Sequence, residues 1–137
     1  MTVSPESIAR AFVQAINHRD VAALADLMTA DHRFIDSLGN VVGGCDKMRA
    51  GWAGYFRVVP DYMIAIEETY CNGEVVVMLG SAKGTYTADG ERSPELSEEN
   101  RWQTPAVFRA VIENGKLAEW RVYADNEPMR QRMAKHA

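Results

Sequence analysis

Near Pro60 the prevailing spacing of apolar residues along this chain changes from that of a helix to that of a strand. Before it, Ile8, Phe12, Ala15 and Ile16 fall on one helical face; after it, the segments YMIAIEETY and EVVVMLGSAKGTYT carry period two. Helices first and strands afterwards is the order of an α+β fold, in which helices pack on one face of a curved, mainly antiparallel sheet. No alternation of strand and helix runs through the chain, so a doubly wound parallel sheet is not expected.

Local signals divide the two halves. Ser4, Pro5 and Glu6 supply a hydroxyl cap, a proline at the first helical position and an acid in the first turn, and the helix they open runs to about Asn17. Asp20 caps a second short helix carrying Val21, Leu24, Leu27 and Met28. A strand over Arg33 to Asp36 and an SLGN turn follow. A third helix, from about Asp46 to Arg57, bears Met48, Trp52, Tyr55 and Phe56 and is stopped by Pro60. Asn72-Gly73 and Asn114-Gly115 mark hairpin turns, the second joining strands from Trp102 to Ile112 and from Lys116 to about Ala124. Residues 88–100 read as an exposed acidic loop, and Pro128 opens a short basic helix or tail over about 127–137.

The 137 residues suit one domain, 1–137, with a real core. A net charge of −4 and the lack of any Lys/Arg run argue against nucleic acid and against an anionic membrane surface as partners. The N-terminus has no secretory pattern and no apolar run approaches the ~18 residues of a membrane span, so a cytoplasmic location is expected. In that compartment Cys45 and Cys71 are expected to stay free structural thiols. His18, His32 and His136 form no ligand-spaced cluster, so no metal is expected. Phosphate loops, nucleophile elbows and His-Glu-x-x-His helices are missing from the sequence, and no cofactor is expected.

Four polar positions carry the chemical question. Asp36 ends an otherwise apolar strand, and its carboxylate is either tied to the backbone N–H groups of the SLGN turn or held in a pocket. His32, Phe34 and Asp36 alternate onto one face, so His32 either joins Asp36 or is a solvated group at the rim. Arg109 lies inside a pocket if it shares the inner face with Val107 and Val111, and is solvated if Phe108 faces inward. Asp125 alternates with Arg121 and Tyr123, opposite Trp120, which fits an ion pair with Arg121 better than a pocket acid.

The order of these elements, together with FVQAINHRDVAALADLMTADHRFIDSLGN, the GTY of the long hairpin and VIENGKLAEWRVYADNEP, resembles the SnoaL-like and ketosteroid-isomerase-like proteins of the nuclear transport factor 2-like superfamily. The resemblance covers nearly the whole chain. It implies a cone-shaped roll with an apolar pocket lined by the first helix, the third helix and the inner sheet face, in a homodimer formed through the outer sheet face. It also implies a general base at Asp36, with a pKa raised by the apolar pocket, and an acid near Asp125. The isomerases' two oxyanion donors would fall on Phe12 and Val107, neither of which can donate. Loss of one such donor costs about 100-fold to 1000-fold in rate, so steroid isomerisation is disfavoured. The aspartate that epoxide-hydrolase-like relatives place two residues after a final-strand tryptophan is also missing, since Trp120 is followed by Arg121 and Val122.

Two functions are therefore expected. One is cofactor-independent proton transfer (isomerase, cyclase or lyase) by Asp36, with His32, on a small apolar carbonyl compound. The other is non-catalytic binding of a hydrophobic ligand, or a dimerisation scaffold. In either, Phe12, Phe34, Trp52, Tyr55, Phe56, Val107, Arg109 and Trp120 are the candidate contacts.

Overall fold

The computed structural model describes residues 3–87 and 98–134. Helix α1 spans Pro5–Asn17, and its Ser4 cap accepts the Ser7 N–H at 3.2 Å. Phe12 and Ile16 are fully buried on its inner face, each worth roughly 1.5–3 kcal/mol of burial. Asp20 caps α2, Val21–Leu27, by accepting the Ala23 N–H at 3.0 Å. Met28, expected to end that helix, instead begins strand β1, Met28–Ile35, which is longer than its apolar pattern indicates. A short strand β2, Val41–Gly43, pairs back on β1 before α3, Cys45–Val58.

The second half is sheet. Strands β3 (Met63–Asn72), β4 (Val75–Thr85), β5 (Arg101–Glu113) and β6 (Lys116–Ala124) form an antiparallel run, and β6 then pairs with β1 in parallel. The order across the sheet is β2-β1-β6-β5-β4-β3. A bulge in β3 between Ile66 and Glu68 bends the edge inward. Gly80 lies opposite it, and a Cβ there would sit 1.8 Å from the Ala65 carbonyl oxygen, so only glycine permits the approach. The Asn114-Gly115 turn has positive φ at both residues, as a two-residue hairpin of right-handed twist requires.

Of the acidic segment, residues 88–97 lie outside the described residues, and Glu98–Asn100 form a 3-10 turn rather than open loop. The C-terminal segment is a helix, α4, Glu127–Ala134. No helix among the described residues is long and apolar enough to cross a membrane.

Helices α1 and α3 cover the concave face of the sheet. Under α1 the core closes completely: the Trp120 ring lies 4.9 Å from Phe12 and 5.4 Å from Phe108, and none of the three is exposed. The pairing of Ala110 with Trp120 and of Phe108 with Val122 places these even-numbered β5 positions inward. Val107 and Arg109 therefore point outward, which overturns their expected place in the pocket.

Candidate functional site

Beyond the reach of α1 the roll stays open. A cavity of about 470 Å³ lies between α3, α4, the end of β1 and Val122 of β6. That size falls within the roughly 300–1,000 Å³ of small-molecule sites. Phe34, Trp52, Tyr55 and Tyr62 form its aromatic wall, with successive rings near perpendicular: 82°, 88° and 87° at centroid distances of 6.1, 6.4 and 5.0 Å. Edge-to-face contacts of this kind hold rings in place, each adding about 0.5–1.5 kcal/mol beyond burial. Helix α3 supplies Trp52 and Tyr55, three residues apart on one face, with Met48 one turn before Trp52. Helix α4 closes the far side with Met129 and Met133.

The polar groups of this cavity are few. The Tyr55 hydroxyl has a weak partner, the Met129 Sδ at 3.8 Å. The Tyr62 hydroxyl has none among the described residues. Burial raises both phenols far above the ordinary tyrosine value, reinforced at Tyr55 by its neighbour Tyr62, so both remain neutral O–H donors. The Trp52 indole N–H is also buried without a partner among the described residues. Lys47 and Arg130 stand at the mouth, where Lys47 makes no ion pair among the described residues and Arg130 meets only Glu127, at 3.6 Å.

Asp36 also faces this mouth, but its carboxylate is committed to its own turn. Oδ1 accepts the N–H groups of Leu38 and Asn40 at 2.9 Å each, and Oδ2 accepts the Asn40 side-chain amide at 3.2 Å. Burial is the largest single influence and pushes the pKa up, yet the bonds from Asn40, Leu38 and Gly39 together outweigh it, and the net shift is downward. The expected elevation by an apolar pocket is therefore reversed, because Asp36 sits at the rim and not among the rings.

His32 takes neither expected place. It is completely buried under α1, 6.2 Å from the Phe12 ring, where its Nδ1–H donates to the Leu117 carbonyl at 2.8 Å and Nε2 has no partner among the described residues. Burial lowers its pKa, so the ring is neutral. Alternation does place His32 on the face shared with Phe34 and Asp36; Phe12 covers it there and seals it from the cavity.

Other expected contacts separate in the same way. Phe34, Trp52 and Tyr55 line the cavity, whereas Phe12 and Trp120 belong to the closed core and Phe56 stacks behind Trp52 at 5.5 Å. The pocket is thus lined by α3 and α4, and not by α1 as expected. On the outer face Arg109 and Arg33 both bond the buried Glu119 carboxylate. Asp125 is exposed, accepts the Glu127 N–H at 2.9 Å at the start of α4, and makes no ion pair with Arg121, whose guanidinium lies over the Tyr123 ring. Cys45 and Cys71 are free. Among the cavity residues that sequence reasoning misses are Lys47, Tyr62, Val122, Met129, Arg130 and Met133. Tyr62 falls between Pro60 and a strand, and α4 is too polar to announce a buried face.

An α+β roll with helices on the concave side and a cavity at its open end defines the nuclear transport factor 2-like architecture. Within that class the chain belongs to the SnoaL-like domain family, whose model matches residues 9–120. Among solved structures, it is similar to a proposed SnoaL-like polyketide cyclase from Shewanella denitrificans, with a TM-score of 0.79 and 18% identity over 96% of this chain and 97% of that one. It is also similar to IdmH, a proposed polyketide cyclase from Streptomyces antibioticus, with a TM-score of 0.75 and 16% identity over 96% and 99%. A ketosteroid-isomerase-like fold from Catenulispora acidiphila aligns with a TM-score of 0.76 and 16% identity over 96% and 95%. At these identities the likeness is one of fold. No curated protein matches the sequence.

Proposed function

We propose that this chain binds a small, largely apolar carbonyl compound in the cavity between α3 and α4. The observation that carries this reading is the aromatic wall with two neutral phenols, Tyr62, which has no partner among the described residues, and Tyr55, which has only the Met129 thioether. A ligand carbonyl is an acceptor suited to them, and the rings supply the apolar contact. Isothermal titration with a panel of aromatic and terpenoid ketones tests it, against Trp52→Ala as the control. Saturable binding is expected in the wild type and weakened binding in the variant; no binding by any ketone defeats the reading.

A second reading adds proton transfer. It is favoured by the position of Asp36 at the mouth of the same cavity, fully ionised at neutral pH, with phenols available to polarise a carbonyl. A carboxylate with a lowered pKa is a weak base, so slow turnover is the expectation. Equal turnover by wild type and Asp36→Asn would remove Asp36 from that role.

We also propose that two copies pair through the outer sheet face. That face exposes Tyr123 beside Val107 and Leu79, with Glu67, Glu68 and Asp125 at one end and, at the other, Arg121 together with Arg109 and Arg33, which share the single Glu119 carboxylate. A two-fold axis between the ends brings unlike charges together. Sedimentation equilibrium tests this, with a dimer expected for the wild type and a shift toward monomer for Val107→Glu.

A further inference from the structure

The polar groups around the cavity are unbalanced, and the imbalance describes the ligand. Donors are in surplus: among the described residues the Lys47 ammonium, the Arg130 guanidinium and the two phenols of Tyr55 and Tyr62 have weak partners or none. Acceptors are fewer and mostly used, the Asn126 side-chain carbonyl being the exception. Asp36 receives three hydrogen bonds from its own turn, and the Ser37 hydroxyl accepts the Ala124 N–H at 3.1 Å. A ligand that completes this site must bring acceptor oxygens.

Charge points the same way. Two cations and one carboxylate line the cavity of a chain that carries 19 acids against 15 bases. Lys47 and Arg130 come from different helices, the first turn of α3 and the middle of α4, and both are exposed residues of the cavity lining. Each can lay its aliphatic stem along the apolar wall and hold its charged end at the rim, an arrangement complementary to a molecule that is apolar within and anionic at one end. Glu127 does not cancel this, since its contact with Arg130 is a long one between two exposed side chains.

We infer that the ligand of this cavity is an apolar carboxylate, its hydrocarbon or aromatic body among Trp52, Tyr55 and Tyr62 and its carboxylate at the mouth between Lys47 and Arg130. This rests on the cavity being a ligand site, as proposed above, and adds the charge that the carbonyl reading leaves open. A carboxylate between two rim cations binds about ten times more tightly than its neutral ester. Because the rim is open to solvent, the preference shrinks as salt is added.

The test compares matched pairs: the carboxylates of naphthalene, anthracene and decane, each beside its methyl ester. The full chain is titrated with them at low and at high ionic strength. The inference expects about a tenfold advantage for the carboxylates at low salt, reduced at high salt. In the double variant Lys47→Gln with Arg130→Gln the ratio of acid to ester affinity falls to about one, and this ratio, read within the variant, is the measured quantity. Both residues are exposed, so the fold is retained, as far-ultraviolet circular dichroism checks. Esters that bind as well as acids, or a preference that survives the double variant, overturn this inference and leave the ligand cavity standing. Failure of every acid and every ester to bind overturns the cavity reading and this inference with it.

Discussion

Two aromatic clusters occupy the concave side of the sheet, and they differ in whether their rings close on one another or enclose space. Under α1, Phe12, Phe108 and Trp120 pack without exposure, and His32, neutral among them, donates its Nδ1–H to the Leu117 carbonyl, while its Nε2 and the Trp120 indole N–H are sealed without partners among the described residues. Between α3 and α4, Trp52, Tyr55 and Tyr62 enclose space, and their phenols are left with a thioether or nothing. The same residue types build a core where a helix covers the sheet and a site where it does not. Chemistry is therefore to be sought at the second cluster, one helix away from the face on which the family resemblance places its oxyanion donors.

The contrast is easiest to break from the core side. Phe12→Ala is expected to cost about 3–5 kcal/mol, because the surrounding rings cannot collapse into the space; urea unfolding measures it. A loss near 1 kcal/mol would mean that α1 covers the core only loosely.

Acid separates the clusters next. The folded-state pKa of His32 lies below the ordinary 6.5, so the unfolded chain binds the proton more readily. The His32 contribution is intact above pH 6.5 and is lost as pH falls below that value, at up to about 1.4 kcal/mol per unit until the folded-state pKa is reached. Urea midpoints at pH 5 and pH 7.5 should show this loss in the wild type, and His32→Leu should flatten it.

Sharpening the contrast from the other side calls for substitutions that leave stability alone. Tyr55→Phe and Tyr62→Phe are each expected to change unfolding free energy by less than about 1 kcal/mol, since little is bonded to either hydroxyl. Each should weaken binding of a ketone ligand roughly fivefold, as measured by titration. A large stability loss would reassign the phenols to the core.

Asp36 gives the smallest effect. Its carboxyl titrates below the ordinary 3.8, so its contribution is present above that pH and is lost as pH falls through the folded-state value. The group is at the rim and solvent-screened, and Asp36→Ala should cost under about 1 kcal/mol, with backbone exchange accelerated at Leu38 and Asn40.

Much of the fold is legible because its signals are local. The Ser4 and Asp20 caps and the Asn-Gly turn at residues 114–115 each act within a few residues, and each forms as its residues dictate. β2 is not legible, since three residues between glycines carry no period. The face of β5 is harder. Ala106, Val107, Phe108, Ala110, Val111 and Ile112 are apolar on both sides, so alternation alone does not say which set faces inward. Arg109 holds the missing clue: a cation avoids a buried face, and its outward position sets the parity of the whole strand. At the site, the aromatic stripe of α3 is visible in the sequence, while the wall supplied by α4 is not.

The sequence by itself determined the order of elements, their caps and turns, the buried stripe of α1 and the turn that can tie down Asp36, because each depends on neighbours a few residues away. Only the tertiary structure decided that His32 is sealed under Phe12, that Val107 and Arg109 face outward, and that residues from Phe34 to Tyr62 meet residues from Val122 to Met133 around one cavity. Those outcomes turn on which distant side chains arrive on which face, and on where one helix ends and leaves the sheet uncovered.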